Sequence, residues 1–134
     1  MSNRAVFDTF FADLDRLDLD AVMAAFSDDA SYHDLPIRTD PTVGKAGIRK
    51  KLSYLTACER IEFQFSLIVE DGDRILAERV EIWHFASGAR PALPVMCCME
   101  FRDGKIARWR EYWDMNTLMG QLPPEFRAAT STPS

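Results

Sequence analysis

Three ionisable residues fall where strand alternation surrounds them with aromatics. Along Arg74–Ala86, one face carries Ala77, Arg79, Glu81, Trp83 and Phe85; the other carries Leu76, Glu78, Val80, Ile82 and His84. Further on, Ala107, Trp109, Glu111 and Trp113 place one carboxylate between two indoles, while Arg108, Arg110, Tyr112 and Asp114 have the look of a solvent face. A carboxylate on an aromatic face is costly unless paired, and Arg79 is an available partner. Two carboxylates and one guanidinium in an apolar concavity can run acid/base chemistry. The arginine would hold one carboxylate ionised, and like-charge repulsion with desolvation would keep the other protonated. Parity also allows a plain structural ion pair, or a wet Arg79/Glu81 face with Val80 and Ile82 turned to the core.

The elements that must position these residues divide into a helical half and a strand half. From Arg4 to Leu17, Val6, Phe7, Phe10, Phe11, Leu14 and Leu17 recur at helical spacing. Asp18 or Asp20 can cap a second helix through about Phe26. Ala30 to His33 is a short extended piece, and Pro36, Pro41 and Gly44 mark a loop from Asp34 to about Gly44. A third helix is expected from about Lys45 to Ala57. After Cys58 the period becomes 2, with Ile61, Phe63, Phe65, Leu67 and Val69 on one face. Turns at Asp71-Gly72-Asp73, Ser87-Gly88 and Asp103-Gly104 then separate Arg74–Ala86, Pro91–Arg102 and Lys105–Asp114. This predicts four long antiparallel strands following three helices: an α+β single domain over residues 1–127, with a flexible tail from Ala128 to Ser134. The sheet can curve round the helices into a cone-shaped α+β barrel with an internal pocket, or lie flat against them with none.

Composition narrows the classes. The chain has 134 residues, room for one domain with its own core. Sixteen basic against 21 acidic residues leave a net charge of −5, which disfavours a phosphate backbone as partner. No apolar run approaches the roughly 18 residues of a membrane span, and the N-terminal segment lacks a signal peptide's pattern. Three Cys in no metal-ligand spacing fit free thiols in a reducing, cytoplasmic compartment. His33 and His84 lack a third ligand, so no metal is expected. Cys97-Cys98 is most simply core packing, Asp103-Gly104-Lys105 is a turn, and Arg49-Lys50-Lys51 is a solvated helix face.

Helices then strands, with Tyr32-His33-Asp34-Leu35-Pro36 before the third helix, Glu78-Arg79-Val80-Glu81, and Trp109-Arg110-Glu111-Tyr112-Trp113-Asp114 after Asp103-Gly104-Lys105-Ile106, resemble limonene-1,2-epoxide hydrolase and its relatives. These belong to the nuclear-transport-factor-2-like superfamily, with ketosteroid isomerases and SnoaL-type polyketide cyclases. The resemblance implies an Asp-Arg-Asp triad with a Tyr and an Asn holding the attacking water. Arg79 matches the bridging arginine and Tyr32 the tyrosine. Glu81 stands where the family has the acid, Glu111 where it has the base and Asp34 where it has the Asn. Three of five positions therefore depart from the pattern, and each longer carboxylate shifts its oxygens by about an ångström, enough to matter for attack geometry.

The implied activity is one-step addition of water to a small apolar epoxide, without cofactor or covalent intermediate. Trp83, Phe85, Val95, Met99, Trp109 and Trp113 are expected to line the pocket. An isomerase or cyclase of the same fold, or a non-catalytic ligand-binding domain, is the alternative. Outward residues including Met96, Cys98 and Tyr112 suggest a homodimer through the sheet.

Overall fold

Phe7, Phe10, Phe11 and Leu14 are almost wholly buried on one side of α1 (Asn3–Asp15), as their spacing requires. In this computed structural model, which describes residues 1–37, 39–124 and 126, Ser2 caps α1 by accepting the Ala5 N–H at 3.1 Å. Asp18 does the same for Ala21 and starts α2 (Leu19–Ala24). The turn between them puts Leu17 at a φ of 60°.

The chain then enters β1 (Phe26–Asp34), crosses a loop to the short β2 (Thr42–Val43), and forms α3 (Lys45–Leu52) with a 3-10 turn at Ser53–Ala57. A meander follows: β3 (Arg60–Asp71), β4 (Arg74–His84), β5 (Ala92–Arg102) and β6 (Lys105–Tyr112), then α4 (Met115–Met119). The sheet order is β2-β1-β6-β5-β4-β3, with β1 parallel to β6 and the other pairs antiparallel. The six-stranded sheet is curved and does not close into a barrel. The Asp103-Gly104 hairpin has positive φ at both residues, 52° and 74°, the backbone that follows the twist of its strands.

Several boundaries differ from those expected, for physical reasons. Phe26 opens β1 instead of closing α2, and Asp34 is the last residue of β1 rather than loop, because β1 pairs with the distant β6. Helical geometry tightens to 3-10 after Leu52. In β3 the register shifts between Phe65 and Leu67. Ile68 therefore packs against the core opposite Ala77, while Leu67 and Val69 are exposed. A matching irregularity between β5 and β6 turns Ile106 inward in place of Ala107. Helix α4 was not anticipated. The tail from Ala128 to Ser134 lies outside the described residues.

The core lies between the helices and the concave face of the sheet. Its centre is aromatic: Phe10 meets Trp109 edge-on at 5.0 Å, and Trp109 stacks on Tyr32 at 4.4 Å.

Candidate active site

Strand β4 turns its charged face inward: Arg79 and Glu81 are buried between Ala77 and Trp83, and Leu76 on the other face is exposed. Arg79 is 1% exposed. It reaches past β5 to β6, where Nη1 and Nη2 donate to the two oxygens of Glu111 at 3.0 and 2.6 Å. Nη2 also donates to Glu81 at 2.7 Å. The Trp83 indole N–H donates to the other Glu81 oxygen at 2.7 Å. Such forked, charge-assisted bonds fix both carboxylates. The guanidinium carbon stands 5.0 and 5.4 Å from the ring centroids of Phe11 and Phe63, which pack against it from the helix and sheet sides.

The β1–β6 pairing brings Tyr32 opposite Trp109 and Asp34 opposite Glu111. Asp34, also buried, accepts a hydrogen bond from the Trp113 indole and one from the Tyr32 side chain. The five residues Tyr32, Asp34, Arg79, Glu81 and Glu111 thus form one buried cluster. Tyr32, Asp34, Glu81 and Glu111 line a cavity of about 1040 Å³.

Electrostatics in the cluster follow from one cation among three carboxyls. Burial, with the charge of Glu81, raises Asp34 to about 6 against the Trp113 and Tyr32 hydrogen bonds. Burial also lifts Glu111 to about 7; Arg79 pulls it down, while Glu81 and Asp34 push it up. At Glu111 desolvation outweighs the guanidinium. For Arg79, burial opposes the charge, but Glu111 and Glu81 prevail and raise it. Tyr32 and Tyr54 are pushed well above the ordinary phenol value by burial and by the neighbouring carboxylates, so both stay neutral donors. Burial likewise holds the Cys97 thiol at about 12, which makes it a poor nucleophile.

Of the expected lining residues, Trp83 and Trp113 face the cavity. Phe85, Val95, Met99 and Trp109 are instead packed in the core beneath it, Trp109 as the support of the Tyr32 ring. The inner wall also holds Tyr54, Leu93, Leu118, Leu122 and Phe126. Phe126 joins Tyr54 and Trp83 through ring contacts at 5.5 and 4.9 Å. Tyr54 and Phe126 were missed because no local period links them to the strands. Cys98 lies on the outer face, covered by Arg110, whose Nη2 is 3.2 Å from its sulfur. His84 contacts Glu62 at 3.0 Å and is not among the cavity residues. Among the described residues, no group of three His, Cys, Asp or Glu is arranged to hold a metal ion.

The profile of the SnoaL-like domain matches residues 7–109. The chain belongs to the SnoaL-like domain family. Solved structures agree with that fold. The domain superposes on an LEH-like epoxide hydrolase from M. tuberculosis with a TM-score of 0.75 and 25% identity, covering 98% of this chain and 96% of that one. A protein from Catenulispora acidiphila with a ketosteroid isomerase-like fold, in complex with trimethylamine, gives a TM-score of 0.76 at 22% identity, covering 96% and 97%. A candidate polyketide cyclase from Pseudomonas putida KT2440 gives 0.73 at 22% identity, covering 92% and 99%. A search of curated protein sequences found no significant match. Among the described residues of this SnoaL-like domain, no helix is long and apolar enough to cross a membrane.

Proposed function

We propose that this SnoaL-like domain adds water to an epoxide held in its cavity. The observation that carries this reading is the pair of buried carboxyls, Glu81 and Glu111, sharing Nη2 of a single arginine beside Asp34 and Tyr32. Like charges this close disfavour ionisation of both at once. In the productive arrangement the proton is on Glu81 and the charge on Glu111. Glu111 takes a proton from a water held also by Tyr32 and Asp34. The water oxygen bonds to an epoxide carbon, the ring carbon–oxygen bond breaks, and Glu81 delivers its proton to the departing oxygen. One water is consumed, one diol forms, and the proton has moved from Glu81 to Glu111; exchange with water in the cavity, which both carboxyls line, restores the starting arrangement.

The test is diol release from a panel of apolar epoxides in oxygen-18 water. Wild type is expected to give labelled diol. Glu111→Gln and Glu81→Gln are each expected to lose about 10²–10⁴ of the rate while remaining folded. Full activity in either variant overturns the assignment.

A second reading is favoured by the two neutral phenols, Tyr32 and Tyr54, that line the cavity with the carboxyls. A carboxylate base facing phenol donors suits proton transfer next to a carbonyl, the chemistry of an isomerase or cyclase. Product without oxygen-18 would select it. We also propose a homodimer through the outer sheet face, where Leu76, Met96 and Tyr112 are exposed; a monomer by sedimentation would refute it.

A further inference from the structure

The cations of α3 divide between two surroundings. Lys45 pairs with Asp28 at 3.5 Å, and Arg49 donates to Asp20 at 2.6 Å, both outside the cavity. Lys50 and Lys51 belong to the cavity wall, where Lys51 also has an interaction of its own. Lys50 is exposed and Lys51 half-buried, and exposed Ile37, Val43 and Met119 line the same region. Asp34, Glu81 and Glu111 are at most 8% exposed, so the cavity runs from a basic, greasy mouth to an acidic inner end. Arg49-Lys50-Lys51 is therefore not simply the solvated face that its sequence suggested.

The volume, about 1040 Å³, stands at the top of the range of roughly 300–1,000 Å³ usual for pockets that take drug-sized ligands. A small hydrocarbon epoxide leaves most of it unfilled. The polarity also sets a direction. Three carboxyls around one guanidinium repel an anion from the inner end, whereas two ammonium groups attract it at the mouth.

We propose that the ligand is an amphipathic anion, its apolar body in the cavity and its charged head at Lys50 and Lys51. This orientation presents the uncharged end to Glu81 and Glu111, and in placing an epoxide there it rests on the hydration reading above. A carboxylate and a phosphate monoester share the required chemistry.

The experiment measures binding by the fluorescence of Trp83 and Trp113, which line the cavity. The probes are dodecanoate, dodecyl phosphate, dodecanol and dodecylammonium. One or both anions are expected to bind about threefold to tenfold tighter than dodecanol, the range open to ion pairs near the protein surface. Which anion binds tighter identifies the head group. The preference should shrink as salt is raised. The double variant Lys50→Glu/Lys51→Glu should abolish it, and Arg49→Glu, on the same helix but outside the cavity, should not. Equal binding of all four probes, a preference for dodecylammonium, or a preference unchanged in the double variant overturns the proposal. The two readings fail separately. Anion preference without diol from any epoxide defeats hydration alone, and diol formation without anion preference defeats this inference alone.

Discussion

Asp34 and Glu111 are paired positions on the parallel β1–β6 ladder, so two carboxyls from opposite ends of the chain stand together at the closed end of the cavity. The guanidinium of Arg79 gives its hydrogen bonds to Glu111 and Glu81, and Asp34 is left with the neutral donors Trp113 and Tyr32. The behaviour of the site follows from that unequal division.

Activity should depend on a proton held among the buried carboxyls. Glu111 is raised to about 7, so the proton is present below that pH and lost above it. The kcat/KM profile is expected to fall as pH rises through about 7. Asp34→Asn removes one of the charges that push Glu111 up, and should move this limb to lower pH. A limb that rises through the same region would mean that the deprotonated pair is the active form.

Asp34 should make stability depend on pH. Its native value of about 6 lies above the ordinary 3.8, so between these values the folded state binds more proton than the unfolded state. Stability is then greatest below 3.8, declines across the window, and is flat above about 6. Asp34→Asn is expected to be more stable than wild type by about 2 kcal/mol at pH 8, with the gain gone at pH 4. Urea denaturation at the two pH values measures it.

Removing the guanidinium should be more damaging than removing either carboxylate. Arg79→Met leaves Glu81 and Glu111 buried without their cation, at a cost of about 3–5 kcal/mol. Arg79→Lys keeps the charge but cannot form the fork that holds both carboxylates. It should recover much of the stability and little of the activity. Denaturation midpoints alongside initial rates separate the two effects.

Trp83 should matter through its N–H as well as its ring. Trp83→Phe keeps aromatic contact in the wall and deletes the donor to Glu81. A loss of about tenfold in kcat, with nearly unchanged stability, is expected from one charge-assisted bond. An unchanged rate would remove Trp83 from the catalytic geometry.

The strands, their hairpins and the first helix were legible because each is written in a local period. The aromatics of α1 recur at helical spacing, and Arg79, Glu81, Trp83 and Glu111 fell on the faces that parity assigned them. Residues whose placement depends on a remote partner were not. The inward turn of Ile68 comes from a register shift against β4, and that of Ile106 from one against β5. Phe85, Val95, Met99 and Trp109 share a face with wall residues but are packed over: Phe10, Phe11 and the Tyr32 ring cover Trp109, and Phe126 meets Phe85.

What the sequence determined by itself is the α+β order and the presence of a carboxylate–arginine set on aromatic faces. Alternation fixes which residues share a face, and motif spacing carries the resemblance to the superfamily. Which face would be dry was decided only by the tertiary structure. The curved sheet packs its charged β4 face against the helices, and β1 joins β6 in parallel. Burial, not residue type, raises Glu111 and Asp34, and α3 lies where Lys50 and Lys51 meet the cavity. These are relations between segments far apart in the chain, and a local period carries no information about them.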